Sequence, residues 1–350
     1  MRELVVDLKE KSYSIIIKKG LINELSNEIN KVYKGKKIFI LTDKNVNYHY
    51  GDKVKDVLIN NGYDVKKMVL KPGEETKSFN TLPKIYNEFL DFKLTRSDLI
   101  ITLGGGVIGD LGGFAASTFL RGIDFIQVPT SLLAQVDSSV GGKVAVDLDR
   151  GKNLVGSFYH PKVVLIDPDV LITLKDKFFK DGMAEVIKYG CIKDLDFFHK
   201  LKEFKSKDEV LDNIEDIIYT CCNIKRIVVE NDEKDKDERM LLNFGHTLGH
   251  AIESYYNFNK YTHGEAVGIG MYKIIKMSEE KGITPKGCAD EIKDILIQYS
   301  LPYDIDIENL DEILETISLD KKNINNVLKI VLLDRIGQSF LKSTNIEFFK

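Results

Sequence analysis

Six glycines within ten residues directly follow a short apolar run, and no other feature constrains the fold of this chain as much. Residues 99–103 read LIITL and residues 104–113 read GGGVIGDLGG. A short, continuously apolar run is typical of a strand buried on both faces of a parallel sheet. Gly104, Gly106 and Gly109 fit a G-x-G-x-x-G pattern before a predicted helix, where bare backbone and free N–H groups can bind an anion. The pattern predicts a nucleotide pyrophosphate site, with a purely structural turn as the alternative.

The rest of the first half alternates strands with helices. We predict strands at 37–43, 64–70, 123–129 and 162–168, and helices at about 44–61 and 81–94. This order is typical of β-α-β units and a mostly parallel, Rossmann-like sheet. From about residue 168 onward the apolar residues instead recur at three- and four-residue spacing, in stretches at 208–230, 239–257, 264–281 and 288–299. We therefore expect an α/β domain at 1–178 and an all-α domain at 179–350.

Composition excludes several classes of protein. The 350 residues carry 50 Lys+Arg against 54 Asp+Glu, a formal charge of −4, and 43% are hydrophobic. This balance is typical of a globular protein and favours neither nucleic acid nor a membrane surface as partner. No apolar run approaches the roughly 20 residues of a membrane span, and the first residues do not resemble a signal peptide. The four cysteines form no C-x-x-C pair, so we expect reduced thiols and a cytoplasmic location.

A histidine cluster predicts a metal site. His246 and His250 lie four residues apart on one predicted helix, and His263 follows within 18 residues, although the chain has only six histidines. Glu185 is a candidate carboxylate ligand. Two imidazoles and one carboxylate are typical of a catalytic zinc site with one open position. Spacing does not decide which two histidines bind metal, and histidines in a helix interface are the alternative.

Polar residues at strand ends predict the rest of a cofactor site. The usual dinucleotide fingerprint follows the first strand of its fold, with an acidic ribose partner about 20 residues further on, whereas this glycine turn follows at least two earlier strands. The acidic partner must therefore come from elsewhere. Asp43 ends the 37–43 strand and could fill this role, although a helix cap is an equal alternative. The segment 72–77, PGEETK, forms a second polar strand end.

Cationic residues occur in the same glycine-rich neighbourhoods. Each alone would be read as a surface charge. Together they predict an anionic substrate carrying phosphate and carboxylate groups. They are Arg121, Lys143, Lys152 next to Asn153, Lys188 and Arg239.

These motifs resemble the 3-dehydroquinate synthase family of the shikimate pathway. The resemblance rests on the continuous segment 104–158, on AEVIKYG at 184–190 and on LNFGHTLGHAIE at 242–253, in the family's order, over roughly residues 37–340. It implies an NAD-binding α/β domain, a helical domain, an active site in the cleft between them and a homodimer. It also implies that Glu185, His246 and His263 hold one divalent metal ion, Zn²⁺ or Co²⁺.

The resemblance assigns the remaining residues by position. The implied NAD contacts are Asp43, Gly73, Glu74, Glu75, Thr76, Lys77, Gly105, Gly106, Val107, Ile108, Gly109, Asp110, Thr130, Ser131, Lys143, Lys152 and Thr173. The implied catalytic and substrate contacts are His250, Lys152, Lys143, Lys188, Arg239, Asn243, Asn153, Asp137, Arg121 from the neighbouring subunit, and one lysine of 318–323, for which we favour Lys322 over Lys321. The chain departs from the family's usual residues at Asp235, Asp237 and Val144, none of which is an implied ligand.

The implied reaction converts 3-deoxy-D-arabino-heptulosonate 7-phosphate to 3-dehydroquinate and phosphate. One hydroxyl is transiently oxidised by NAD, phosphate is eliminated, the carbonyl is reduced again, and ring opening and an aldol closure follow. The alternatives are a related sugar-phosphate cyclase and a metal-dependent NAD polyol dehydrogenase. A polyol dehydrogenase has no need of Lys143, Lys152, Lys188 and Arg239 together, which makes it the weaker alternative.

Overall fold

The apolar runs form the strands of one large sheet in the N-terminal half. The structure is a computed structural model that describes residues 1–305, 312–313 and 328–349. Its strands are β1 Arg2–Val6, β2 Tyr13–Ile17, β3 Lys37–Asp43, β4 Asp64–Leu70, β5 Leu99–Gly104, β6 Asp124–Pro129, β7 Lys143–Leu148, β8 Gly151–Phe158, β9 Val163–Ile166, β10 Leu328–Arg335 and β11 Gln338–Thr344. The sheet joins seven of them in the order β1-β2-β9-β6-β5-β3-β4, antiparallel only between β1 and β2. The predicted mostly parallel sheet is confirmed.

The strand order marks the edge between β3 and β5 as the place where a ligand is expected to bind. β4 pairs with one side of β3 and β5 with the other, so the direction of winding reverses between β3 and β5. In open parallel sheets, ligands bind at the carboxyl ends of the strands at such a reversal. Those ends are Asp43 and Gly104.

Helices cover both faces of this sheet. They are α1 Leu25–Val32, α2 Lys44–Val46, α3 Asp52–Asn60, α4 Leu82–Asp91 and α5 Gly106–Thr118. One core contains Leu25, Ile40 and Leu58, and the opposite core contains Phe39, Phe89 and Leu111. Neighbouring residues of β3 alternate between the two cores, as the period of two requires. Both faces are therefore buried, which explains the continuously apolar strands.

The second half is mainly helical, as expected. Its helices are α6 Asp176–Lys193, α7 Leu195–Glu203, α8 Lys207–Asp212, α9 Ile214–Asn231, α10 His246–Tyr255, α11 His263–Glu280 and α12 Cys288–Gln298. Three details differ from the sequence-based expectation. β10 and β11 form an antiparallel hairpin, so this half is not all-α. The stretch predicted at 208–230 is two helices, because the chain leaves helical geometry at Asn213, whose φ is −100° and ψ 8°. The stretch predicted at 239–257 begins as a short 3-10 helix, Glu238–Asn243, before α10.

The chain divides into two compact units near the predicted boundary. The N-terminal unit contains Met1–Lys175 and also Glu215–Glu233, and the C-terminal unit contains Asp176–Ile214 and Lys234–Lys350. Helix α9 thus belongs to the unit that precedes it, unlike in the predicted division at 178. Within that unit Arg226 pairs with Glu230, whose carboxylate also accepts from the Asp7 amide at 2.8 Å. In the described ranges no helix is long and apolar enough to cross a membrane.

Candidate functional site

Helix starts place the histidines of the C-terminal unit. α10 begins at His246 after Gly245, whose φ of +79° is a conformation that glycine adopts without strain. α11 begins at His263 after Thr262, which forms a capping box with Glu265. His246 and His250 lie on one face of α10 with ring centroids 5.3 Å apart. His263 comes equally close to His246, at 5.3 Å.

Glycines allow α10 and α11 to approach closely. A Cβ atom on Gly270 of α11 would lie 2.0 Å from the Gly245 carbonyl oxygen and 3.0 Å from the Gly249 nitrogen. Those are backbone atoms, which can move only with their helix. A side chain at residue 270 would therefore push apart the two helices that carry the histidines.

Glu185 of α6 completes the group. Its side chain is fully buried, and its Oε1 lies 3.4 Å from His246 Nε2 and 3.5 Å from His263 Nε2. Its Oε2 pairs with Lys188, which lies one turn further along α6 and whose side chain is 2% exposed. The ligand atoms of Glu185, His246 and His263 all lie within 4.8 Å of one another. One carboxylate thus faces two imidazoles on one side and an ammonium group on the other.

The electrostatics of this group suit a cation. Burial lowers the pKa of His246 to about 3, which leaves the ring neutral, the form that binds a metal. Burial also lowers the pKa of His263, but its hydrogen bonds to Glu185 and Glu253 outweigh this and raise it to about 10. The environment of His263 therefore favours a positive charge between two carboxylates. A divalent cation on Nε2 would supply that charge, so the donor set fits Zn²⁺ or Co²⁺.

A second set of candidate ligands shares one histidine with the first. The side chains of His250, Glu253 and His263 also bring ligand atoms within 4.8 Å of one another. His250 is exposed, whereas Glu185 in the first set is fully buried. All three predicted histidines are brought together, and His246 and His263 are the two that face Glu185.

The glycine turn lies in the N-terminal unit at the reversal of strand order. β5 ends at Gly104 and α5 begins at Gly106, with Gly105 at its N-cap. None of these glycines has a positive φ. A Cβ on Gly105 would lie 3.2 Å from Ser131 Oγ, and one on Gly104 would lie 2.6 Å from the Ile108 Cβ. The glycines are thus needed for close approach between chain segments rather than for an unusual backbone conformation.

Lys77 connects three predicted cofactor or substrate residues. Its side chain is 5% exposed, and its Nζ lies 2.6 Å from Asp110 Oδ2 and 3.7 Å from Glu74 Oε1. It also donates to Asn153 Oδ1 at 2.5 Å. Burial lowers the pKa of Lys77, but the carboxylates of Asp110 and Glu74 outweigh it, and the net shift is upward. Lys77 is therefore held charged beside the first turn of α5.

Other predicted cofactor residues lie along the same unit. The Thr130 amide donates to the Gly104 carbonyl at 2.9 Å, which places Thr130 and Ser131 beside the glycine turn. Asp43 acts as a helix cap, because its Oδ1 accepts from the amides of Asn45 and Val46. The remaining predicted residues of this set lie on the glycine turn or in adjoining loops: Gly106, Val107, Ile108 and Gly109 in α5; Gly73, Glu75 and Thr76 after β4; and Thr173, whose hydroxyl bonds that of Tyr50 at 2.8 Å.

The predicted substrate residues are divided between the two units. In the N-terminal unit Lys143 begins β7, Lys152 lies on β8 and Arg121, which is exposed, has a φ of +69°. In the C-terminal unit Arg239 is 2% exposed and lies with Asn243 on the 3-10 helix before α10. Lys321 and Lys322 lie outside the described residues.

Three charged residues were missed by the sequence analysis. Lys225 of α9 donates to the Asp137 carbonyl at 2.7 Å and to its Oδ1 at 3.0 Å. Glu253 lies 3.2 Å from His263 Nδ1, and Asp181 Oδ1 accepts from the Gly264 amide at 2.5 Å. Position was the one signal for two of them, since Asp181 lies three residues before AEVIKYG and Glu253 ends the histidine motif at 242–253. Lys225 had no such signal. The departure at Val144 is a buried core residue.

Comparison with known proteins identifies the family of this chain. The family described as 3-dehydroquinate synthase N-terminal matches residues 67–181, and 3-dehydroquinate synthase C-terminal matches residues 182–323. A curated 3-dehydroquinate synthase of Clostridium botulinum (strain Alaska E43 / Type E3) is 95% identical over 350 residues and all of both chains.

Two solved structures share the fold. A 2-deoxy-scyllo-inosose synthase complexed with carbaglucose-6-phosphate, NAD⁺ and Co²⁺ has a TM-score of 0.87 at 24% identity, over 99% of this chain and 98% of its own. A 2-epi-5-epi-valiolone synthase from Streptomyces hygroscopicus subsp. jinggangensis 5008, with NAD⁺ and Zn²⁺ bound, has a TM-score of 0.88 at 21% identity, over 98% and 96%. With both family matches and a near-identical relative along its whole length, the chain belongs to the 3-dehydroquinate synthase family.

Proposed function

We propose that this chain converts 3-deoxy-D-arabino-heptulosonate 7-phosphate to 3-dehydroquinate and phosphate. The observation that carries the proposal is the environment of Glu185, which faces two imidazoles and a buried lysine at once. Such a group suits a metal ion next to an anionic substrate. The chain's membership of the 3-dehydroquinate synthase family and its 95% identity to a curated member support the same conclusion.

We assign the metal to the C-terminal unit and NAD to the N-terminal unit. Glu185, His246 and His263 would hold one Zn²⁺ or Co²⁺, and the glycine turn with Lys77, Asp110, Thr130 and Ser131 would hold NAD. When bound, the metal ion increases the acidity of a substrate hydroxyl, and NAD serves as a reversible oxidant. The two solved synthases, each with NAD⁺ and a divalent metal ion, support this assignment.

The residues of this chain bind and orient the substrate. Lys188 and Arg239 are 1% and 2% exposed, so an anion that reaches them is shielded from water and is bound more strongly than at the surface. We assign the phosphate and carboxylate to these two residues together with Lys143, Lys152 and Asn153. We assign to His250, which shares a helix face with His246, the role of orienting and polarising the reacting hydroxyl groups. Asn243, Asp137 and, from a second copy of the chain, Arg121 complete the proposed contacts, in a cytoplasmic homodimer.

The deciding experiment is an assay of phosphate release from the heptulosonate phosphate, with and without NAD, on protein freed of nucleotide. We expect phosphate release to require NAD, to exceed the NAD supplied, and to leave no net NADH absorbance. Stoichiometric NADH would instead indicate a polyol dehydrogenase. Turnover of glucose 6-phosphate but not of the heptulosonate phosphate would indicate another sugar-phosphate cyclase.

A further inference from the structure

The carboxylate of Glu253 is buried beside the metal-binding group but belongs to neither the ligands nor the substrate contacts assigned above. It lies on α10, seven residues after His246, and is 3% exposed. Its Oε2 lies 3.2 Å from Nδ1 of His263. A buried carboxylate is costly to keep unless it has a partner of matching chemistry. His263 is such a partner for the Glu253 carboxylate.

We propose that Glu253 is a positioning residue that keeps the proton on Nδ1 of His263 and so directs Nε2 of that ring to the metal. The inference deepens the proposed function and rests on its metal assignment. It also explains why the metal would bind with Glu185 and His246 rather than in the second set of candidate ligands, which contains His250 and Glu253.

Both histidines have acceptors on the same ring nitrogen. His246 Nδ1 lies 3.0 Å from the Phe244 carbonyl oxygen, and His263 Nδ1 lies 3.2 Å from Glu253. A carbonyl and an ionised carboxylate only accept hydrogen bonds, so each of these Nδ1 atoms must carry the proton. The Nε2 atoms then lie 3.4 and 3.5 Å from the same oxygen of Glu185. A carboxylate behind a metal-binding histidine fixes the orientation of the ring and increases its basicity.

The backbone of His263 is already fixed, which leaves the ring as the part that Glu253 must orient. Thr262 and Glu265 form the capping box of α11. The Gly264 amide donates to Asp181 Oδ1 at 2.5 Å. A Cβ on Gly264 would lie 2.2 Å from the Asp181 carbonyl oxygen, so this helix start is tightly packed on α6.

The contact also works against the second set of ligands. The nitrogen of His263 nearest to Glu253 is Nδ1. A metal ion bound at that nitrogen would have to displace its proton and so break the hydrogen bond that Glu253 accepts. Loss of the Glu253 carboxylate would therefore both weaken the first set and remove a ligand of the second.

The test compares Glu253→Gln and Glu253→Asp with a matched control. The first variant removes the charge, and the second keeps the charge but shortens the reach by one methylene group. Glu279→Gln is the control, because Glu279 is 8% exposed in the same unit and accepts from the Ala289 amide at 2.8 Å. The readout is the dissociation constant for Zn²⁺, measured by competition with a chromophoric chelator, together with thermal unfolding of the metal-free proteins.

We expect both Glu253 variants to bind Zn²⁺ about 10–100-fold more weakly than the wild type, and Glu279→Gln to bind within about twofold of it. Equal binding by wild type and both Glu253 variants would overturn this inference and leave the proposed function intact. A wild type that binds no Zn²⁺ would overturn the metal assignment and this inference with it.

A second measurement needs no variant and covers the case in which both substitutions unfold the protein. In the Zn²⁺-loaded wild type with ¹⁵N-labelled histidine, the nitrogen resonances should show His263 protonated at Nδ1 and metal-bound at Nε2. The reverse assignment would overturn the inference.

Discussion

Lys77 and Asp110 form an ion pair beside the glycine turn, with Nζ 2.6 Å from Oδ2 and only 5% and 17% of their side chains exposed. Breaking such a pair from one side leaves a shielded charge without its partner, which typically costs about 3–5 kcal/mol. Because Asp110 keeps some exposure, we expect Lys77→Met to lower the free energy of unfolding by about 3 kcal/mol in urea denaturation. The variant Lys77→Met/Asp110→Leu should recover part of the loss.

The stability that Lys77→Met loses should depend on pH in a definite direction. Burial raises the pKa of Asp110, and Lys77 opposes that shift. Without Lys77 the pKa of Asp110 in the folded state rises further above its unfolded value. A raised carboxylate pKa means that stability falls as pH rises through it. The free energy of unfolding that Lys77→Met loses should thus be larger at pH 8 than at pH 5. An equal loss at both pH values would contradict the ion pair between Lys77 and Asp110.

Gly270→Ala should disturb the histidine cluster through the packing of α10 on α11. Its Cβ would lie 2.0 Å from the Gly245 carbonyl oxygen, and overpacking of this kind typically costs about 1–3 kcal/mol. We expect that loss in chemical denaturation, together with weaker Zn²⁺ binding, because His246 and His263 are carried by the two helices.

Gly268→Ala is the control on the same helix. Its Cβ would lie 3.2 Å from Leu296 Cδ2, the far end of a side chain, and 3.3 Å from the Pro302 carbonyl oxygen. Alanine also favours a helix over glycine by up to about 1 kcal/mol. We expect stability within about 1 kcal/mol of the wild type and unchanged Zn²⁺ binding. If the two alanine variants behaved alike, close approach at Gly270 would not be what brings the histidines together.

Local signals explain which parts of the fold could be predicted. The strand at 99–103, the glycine turn and α11 each follow from residues adjacent in sequence, and the structure places them within one or two residues of the prediction. Strand β11 was missed, since a polar, half-exposed strand such as Gln338–Thr344 has no continuous apolar run. Strand β10 does contain a buried apolar run, at 330–333, but without a recognised partner strand it was not predicted. The break at Asn213 was missed because the apolar spacing continues on both sides of it.

Non-local partners explain what was missed in the site. Lys225 and Asp137 are 88 residues apart in sequence, and each alone looks like a surface charge. The spacing of the histidines predicted a cluster but left three possible pairs. The family resemblance implied His246 and His263, and the structure shows that these two face Glu185, whereas His250 is exposed.

The cysteines should be unreactive in the folded protein. All four are buried, and burial raises the pKa of Cys222, whose Sγ lies 3.2 Å from the Gln135 carbonyl oxygen, to about 12. At pH 8 the thiolate fraction at such a pKa is on the order of 10⁻⁴, against roughly a quarter for an ordinary cysteine. We expect almost no reaction with Ellman's reagent within minutes and four equivalents in guanidinium chloride. Rapid reaction of one native thiol would show that its site opens easily.

Removal of the metal should abolish phosphate release, and the two histidines of α10 should differ in how they contribute. After treatment with a chelator, Zn²⁺ or Co²⁺ should restore activity, since borderline divalent ions suit two imidazoles and a carboxylate. His246→Ala should lose the metal, because its Nε2 is 3.4 Å from Glu185 Oε1. His250→Ala should keep one equivalent of metal, because His250 is exposed and is not one of the three residues of the Glu185 group. It should lose turnover, because we assign His250 to the substrate.

Metal content after dialysis, measured by mass spectrometry on each variant, decides between the two sets of ligands. Full metal content in His246→Ala together with an empty His250→Ala would place the ion with His250, Glu253 and His263 instead. The reverse result, with the phosphate assay run on the same samples, assigns binding to His246 and chemistry to His250. The two residues share one helix face, with ring centroids 5.3 Å apart. Thermal unfolding of the metal-free variants separates a loss of ligand atoms from a disturbance of α10, because His246 begins this helix and is less exposed than His250.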